Sequence, residues 1–403
     1  MNILVLASDV PATASMPGSP RLFSLCRGLS ENHRLTLVVF DRSSEEFTSS
    51  QAAPETSDVF HHIVFLPEAP EPSWWGKQVH RVRQDASFIT RWRTPAHFAA
   101  HRRRLESLMS AGKFDIVYVD GLLASQYMVN LARECPAVID VHDCASLLLS
   151  RRLKSAKDLS ERLRLYSAYR SIARIERSLS RTYGLIITNS SVDERCLREL
   201  DPAGNTLTIG NGVDCEYFRS TTASSDVSRL VFTGVMDYGP NEDAAIYFCE
   251  TILPLITAQR PDVQLWIVGK GESTRVRALG TRPGVHVTGS VPDVRPYLEA
   301  AGIFVCPLRH GAGVKNKVLA ALAMSRAVVA TPLSVEGLDL DDGEDLVLAD
   351  TPDEFAARVL RLIDRPWEAV ELGRVGRGTV QRKYSWATSA QLLEDSLLRL
   401  VCR

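Results

Sequence analysis

Short apolar runs separated by stretches of helical length constrain this chain more than any other feature of it. Residues 2–7, 35–40, 116–119, 137–141, 185–188, 230–233, 263–268, 303–306 and 327–330 are such runs, most of them rich in Val, Ile and Leu. A strand that is apolar throughout, with no polar alternation, is covered on both faces. Strands of that kind alternating with helices build parallel sheets from βαβ units. The expected fold class is therefore α/β. The alternation also starts twice. A first series runs from residue 2 to about residue 210, residues 208–214 are rich in turn formers, residues 220–228 are polar, and a second series begins at Leu230. At 403 residues a single core would normally have divided. The pattern predicts domains at 1–210 and 230–384 with a hinge at 211–229, and residues 43–58, rich in Ser, Glu and Thr, read as a surface loop.

Charge and cysteine usage exclude several classes. The formal net charge is -1, which argues against a general nucleic-acid binder. No run of eighteen apolar residues occurs, so no spanning helix is expected. The start lacks a basic region and reads as a first strand, not a signal peptide, so a cytoplasmic protein is expected. The eight cysteines show no CxxC spacing and read as reduced, mostly buried thiols. No metal-ligand cluster and no nucleophile elbow is apparent. Two stretches are strongly basic: Lys77 to Arg104, with Trp74, Trp75 and Trp92 nearby, and Arg151 to Arg181, where Leu165, Ile172, Ile175 and Leu179 keep helical spacing. They read either as solvated helix faces or as a face for an anionic acceptor or membrane.

The residues that point to chemistry sit after strands. Residues 307–319 follow one strand and open a helix, and they hold Gly311, Gly313, Val314, Lys315 and Lys317. Glycines let a backbone approach a ligand, a helix N-terminus offers free N–H groups, and two lysines add charge, so the loop reads as a diphosphate site. It is not a Walker A loop, because the Gly-Lys-Ser/Thr ending is missing. Gly269 and Lys270 form a sharp turn after another strand and are a weaker candidate. The glycines at 373, 376 and 378 follow no strand and are set aside. In the first half, the small-residue loop 12–20 follows the first strand, with Gly18 as its point of closest approach. It reads either as a ligand loop or as a plain connection. His142 and Asp120 each end a strand. His142 reads as a site residue and Asp120 as a candidate for an acceptor hydroxyl.

Taken together, these motifs resemble the retaining GT-B glycosyltransferases of family 4, over nearly the whole chain. The resemblance is carried by Asn211-Gly212-Val213-Asp214, by Thr233-Gly234 with Pro240-Asn241, by Gly289-Ser290-Val291-Pro292-Asp293, by the 311–317 loop and by Glu336-Gly337. Bacterial exopolysaccharide and exosortase-associated enzymes are the most similar group. The resemblance implies two Rossmann-like domains facing a cleft, the first for the acceptor and the second for a nucleotide-sugar donor. It also implies a final helix, 385–403, packed back on the first domain. It assigns the donor to Gly18, Gly234, Gly269, Lys270, Val291, Asp293, Gly311, Gly313 and Val314, and the acceptor to Asp120. His142, Lys315 and Lys317 would act on the reacting groups. Transfer would proceed with retention and without metal or cofactor. A UDP sugar is preferred to a GDP sugar, and the acceptor would be a glycan, a lipid-linked glycan or a small metabolite. Two departures stand out. The family's two glutamates fall on Ala312 and Ala320, and its Arg-and-Lys pair is absent near Val235 and Asp237. These motivate an alternative, a degenerate member that binds and regulates an active transferase. An epimerase of the same fold lacks the paired carboxylates it would need.

Overall fold

The structure is a computed structural model that describes residues 1–8, 10–11, 20–40, 54–66, 95–128, 131, 135–156, 158–221, 226–311 and 314–402. The uninterrupted apolar runs become the central strands, because a strand buried on both faces needs no polar side. β1 (Asn2–Ala7) pairs in parallel with β2 (Arg34–Phe40) on one side and β4 (Ile116–Asp120) on the other, and Ile3 to Ala7 are fully buried. Outward from these lie β3 (His62–Leu66), β5 (Ala137–His142), β6 (Leu185–Thr188) and β7 (Thr206–Thr208). The first sheet is β3-β2-β1-β4-β5-β6-β7, with every neighbour pair parallel.

The second sheet repeats this arrangement with one strand fewer. β8 (Asp226–Thr233) lies between β9 (Gln264–Val268) and β11 (Ala301–Cys306); β10 (Val285–Val287), β12 (Ala327–Ala330) and β13 (Val347–Leu348) complete the order β10-β9-β8-β11-β12-β13. Counted from its own first strand, each sheet therefore contains the doubly wound order 3-2-1-4-5-6. Such a sheet reverses direction beside its first strand, at β1/β4 and at β8/β11. The crevice at the carboxyl ends of those strands is where this topology binds ligands.

The chain divides into two compact units, Met1–Gly210 with Ser389–Arg403, and Asn211–Thr388. In the first, Leu4, Leu6, Val117, Val119 and Ile139 form the core with Leu105, Ile172 and Leu197 from helices. The last helix, Trp386–Val401, seats Ala390 against Gly28, where a Cβ would stand 2.3 Å from the Ala390 Cβ. In the second, Phe232, Phe304, Val305 and Val329 meet Phe248, Val318, Leu322, Phe355 and Val359.

Some sequence expectations are corrected. Residues 226–229, placed in the hinge, begin β8, because Leu230 to Thr233 extend backward along the neighbouring strand. Within the expected loop 43–58, Pro54–Val59 is a short helix that buries Thr56 and Val59. The glycines at 373 and 376 lie inside the Pro366–Lys383 helix. There a Cβ would stand 2.2 Å from the Ser325 carbonyl oxygen or 2.5 Å from that of Asp345, so they serve close packing. Trp74, Trp75, Trp92 and the basic residues between positions 77 and 93 lie outside the described residues, as do Gly18, Ala312 and Gly313.

Candidate functional site

In the first unit the candidate residues gather at the carboxyl ends of β4 and β5, next to the β1/β4 reversal. Asp120 is the last residue of β4 and His142 the last of β5. The backbone at His142 is left-handed, φ 62°, a conformation that few non-glycine residues adopt. The turn is held by a hydrogen bond from the His142 backbone N–H to Asp140 Oδ1, 3.1 Å, and it brings Nε2 to 2.7 Å from Asp120 Oδ1. Burial would lower the imidazole pKa, but the charge and hydrogen bond of Asp120, helped by Asp140, raise it from 6.5 to about 9. His142 is therefore a cation at neutral pH, suited to meet an anionic or hydroxyl-rich ligand.

Beneath it lies a network that the sequence reading missed. Asp140 is fully buried and accepts from Arg21 Nε at 2.8 Å and from the Tyr118 hydroxyl at 2.9 Å. Arg21, in the first turn of the Pro20–Ser30 helix, also donates to the Ile209 carbonyl at 2.8 Å. Burial alone would push Asp140 up. Arg21 and then His142 hold it below the usual carboxylate range. The network fastens β4, β5, the helix after β1 and the end of the first series to one charge. An aspartate two positions before a histidine in a buried strand was the available signal, and its partners, far away in sequence, were not visible.

In the second unit the candidates sit at the ends of β8, β9, β10 and β11, around the β8/β11 reversal. Gly234 follows β8, and a Cβ there would stand 2.8 Å from Asn241 Nδ2 and 2.9 Å from Lys317 Nζ. Gly269 follows β9 with φ 141°, and its Cβ would fall 1.8 Å from the Gly234 carbonyl oxygen. These two glycines let two strand-end loops touch backbone to backbone. The Lys270 carbonyl oxygen accepts from Met236 N–H at 2.7 Å, while its side chain is exposed. Gly311, φ 135°, turns the loop after β11 toward the Asn316–Ala323 helix, with Lys315 at the cap position.

Lys317 is the center of this group. Its ammonium donates to Asn241 Oδ1 at 2.5 Å and lies 4.5 Å from the center of the Phe232 ring. Burial, with a further push from Lys315, lowers it from 10.5 to about 8. Lys317 thus holds a charge poorly offset by its surroundings, beside a helix N-terminus, in a cradle kept open by Gly234. A nearby anion would favor the charged form of this lysine. Asn241 is a second residue that sequence reasoning used only as part of a motif. Arg309, also unassigned from sequence, grips Asp243 through both Nε and Nη2, at 3.0 and 2.6 Å, and lies over Tyr247, which fixes the root of the loop.

The loop after β10 is less open than expected. Asp293 is engaged by Arg295, whose guanidinium lies 2.7 Å from Oδ2 and 3.9 Å from the center of the Tyr217 ring. Its carboxylate thus ties the loop to the 211–218 segment. Val291 is half-buried against the core, and so is Val314. Ala320 is half-buried on the Asn316–Ala323 helix. Among the described residues no group of three or more His, Cys, Asp or Glu is arranged to hold a metal.

Two all-parallel doubly wound units of this kind define the GT-B fold. Solved structures agree along the full chain. Sucrose-phosphate synthase from Thermosynechococcus elongatus matches with a TM-score of 0.68 at 16% identity, covering 100% of both chains. Anabaena HepE in complex with UDP and glucose matches with a TM-score of 0.65 at 14% identity, covering 99% of this chain and 100% of that one. The family model for glycosyltransferase family 4 matches residues 21–217, and that for glycosyl transferases group 1 matches residues 227–365. The chain belongs to the family 4-like GT-B glycosyltransferases. Phosphatidyl-myo-inositol mannosyltransferase of Mycobacterium tuberculosis is 28% identical over 200 residues, 46% of this chain and 52% of its own. A GDP-mannose-dependent monoacylated alpha-(1-6)-phosphatidylinositol monomannoside mannosyltransferase of Corynebacterium glutamicum is 30% identical over 225 residues, 47% and 55%. The chain spans about half the length of the curated relatives it matches.

Proposed function

We propose that this protein transfers a hexose from a nucleoside-diphosphate sugar to an acceptor hydroxyl, with retention and without a metal. The observation that carries the reading is the Lys317 cradle, an ammonium facing neutral partners at the switch point of the second sheet. A departing diphosphate there is stabilized by Lys317, Lys315 and the helix N-terminus, the work a metal performs elsewhere. By the family resemblance, His142 would act on the donor's sugar or phosphate as a cation, and Asp120, which holds His142, would receive the acceptor hydroxyl. Retention rests on the family resemblance. The UDP sugar preferred from sequence stands beside a GDP sugar here, because the Corynebacterium relative is named as GDP-mannose-dependent.

The acceptor reading includes a lipid-linked glycan, and one surface supports it. On the Leu159–Glu176 helix, Leu159, Leu163 and Tyr166 are 70%, 63% and 49% exposed, with Arg162, Arg170 and Arg174 also exposed beside them. An apolar row flanked by arginines suits the surface of an anionic bilayer. No helix among the described residues is long and apolar enough to cross a membrane. Sedimentation with anionic vesicles at low salt checks this part, and protein left in the supernatant would remove it.

The test of function is calorimetry with UDP, GDP, dTDP, ADP and CMP, followed by turnover of the matching sugar nucleotide with and without acceptor. One nucleotide should bind, and Lys317→Ala should abolish it. A second reading, a regulatory partner without turnover, is favored by Ala320, where the family places the glutamate that binds the ribose. On the transferase reading, Ala320→Glu should tighten nucleotide binding about tenfold, the worth of one charge-assisted hydrogen bond. Nucleotide binding with no turnover in either form would establish the second reading.

A further inference from the structure

The cysteines read from the sequence as reduced, mostly buried thiols, and two of them face each other. Cys144 and Cys196 hold their sulfur atoms 3.1 Å apart. Cys144 caps the Ala145–Ser155 helix, two residues beyond His142, and Cys196 lies on the Ser191–Leu200 helix. The two segments are already fastened beside the sulfurs, because the Cys144 backbone N–H donates to Asp193 Oδ1 at 2.8 Å, from the same helix as Cys196. A disulfide needs its sulfurs at about 2.05 Å, so closure asks for a movement of about 1 Å from this position. Such a shift is within reach of side-chain rotation.

We infer that Cys144 and Cys196 form an oxidation site, a dithiol that closes to a disulfide beside His142 when it meets hydrogen peroxide.

The roles of the two sulfurs follow from their surroundings. Cys196 is half-buried and Cys144 is buried, so an oxidant reaches Cys196 first. The hydrogen bond from the Cys144 thiol lowers the Cys196 pKa, which favors the nucleophilic thiolate there. Cys144 is pushed well above its ordinary value, first by that hydrogen bond and then by burial. The Glu176 carboxylate lies 3.8 Å from the Cys144 sulfur, and burial raises its pKa, so it is a placed acceptor for the Cys144 proton. The Cys196 thiolate attacks one peroxide oxygen, the O–O bond breaks, and the leaving oxygen departs as water after taking a proton. The Cys196 sulfenic acid remains. The Cys144 sulfur then gives up its proton and attacks the Cys196 sulfur. The S–O bond breaks and a second water leaves. Two thiols are oxidized to one disulfide, and one peroxide is reduced to two waters.

The test uses the full chain. Hydrogen peroxide is added, remaining thiols are alkylated, and tryptic peptides are mapped without reduction. The expected product joins residues 134–151 to residues 196–198, and fragmentation assigns the bridge to Cys144 and not to Cys135. It disappears on treatment with dithiothreitol. In Cys144→Ser, the Cys196 sulfenic acid should persist and react with dimedone. Cys402, the exposed thiol, is replaced by Ser in a parallel sample so that bridges between molecules do not obscure the result. Two findings would each overturn the inference. One is Cys196 oxidized to sulfinic acid while Cys144 alkylates as a free thiol. The other is both thiols alkylated in full at a peroxide dose that oxidizes Cys402. The wild-type map decides the matter even where a variant fails to fold, and it does not depend on nucleotide binding or turnover.

Discussion

Replacing Asp120 by Asn tests whether the His142 charge is built by the fold. In the native chain the imidazole is raised to about 9 against the opposing effect of burial, and the Asp120 carboxylate 2.7 Å away is the principal cause of the rise. A rise from 6.5 to about 9 corresponds to ~3 kcal/mol between the two protonation states. The side chain is 34% exposed, and water screening reduces the part that reaches folding stability to roughly 1–2 kcal/mol. Because the folded value lies above the unfolded one, this contribution is full below pH 6.5 and is lost as the pH rises through about 9. Asp120→Asn should therefore be destabilizing by roughly 1–2 kcal/mol at acid pH, and the difference from wild type should shrink toward alkaline pH. Urea denaturation on either side of this window reads the stability. A histidine NMR titration, with His142→Gln to assign the resonance, reads the pKa, which should fall to 6.5 or below in the variant. A wild-type His142 that titrates below neutrality, or one unmoved by Asp120→Asn, would refute the reasoning.

Three further expectations follow from the same geometry. Lys317 at about 8 is only partly protonated at mildly alkaline pH, and a bound diphosphate favors its charged form. Nucleotide binding near pH 8 should take up protons, seen by calorimetry in two buffers of different ionization enthalpy, and should weaken as the pH rises further; no proton uptake would separate Lys317 from the anion site. In the absence of ligand, the unfolded chain holds this proton more firmly than the folded one between pH 8 and 10.5, so Lys317 makes stability rise across that interval. Gly269→Ala places a Cβ 1.8 Å from the Gly234 carbonyl oxygen at φ 141°. It should cost more than about 3 kcal/mol or prevent the second unit from folding, read by urea denaturation or by the soluble yield. Arg21→Ala leaves Asp140 a buried charge without its main partner and should cost about 3–5 kcal/mol in the same assay. A loss below about 1 kcal/mol would show that Tyr118 and His142 suffice.

The sequence reading and the structure part at the sheet edges. Every central strand was legible, because burial on both faces demands an uninterrupted apolar run. The four strands that escaped, His62–Leu66, Thr206–Thr208, Val285–Val287 and Val347–Leu348, are the outer strands of the two sheets. An edge strand has one paired side and a half-exposed surface, so it carries no such run. The candidate site shows the same division. Gly269, Gly311, Lys315 and Lys317 could be singled out because glycines and lysines in a loop after a buried strand form a local pattern, and Gly234 because it lies in the family motif. Arg21, Tyr118 and Asn241 were not, because each acts through a partner 22 or more positions away, and nothing local distinguishes them from ordinary core and surface residues. Asp293 shows the converse. Its motif was legible, while its engagement by Arg295 over Tyr217 is a property of packing.

By itself, then, the chain's order of residues determined two α/β series, their parallel strands and the loops that follow them, since periodicity and turn chemistry are local. Only the tertiary structure decided which loops meet. It put His142 on Asp120, seated both over the buried Arg21–Asp140 pair, closed Gly269 against Gly234 beneath Lys317, and set Cys144 against Cys196. Charges and thiols act over a few ångströms, and which groups lie that close is fixed by how the sheet orders its strands.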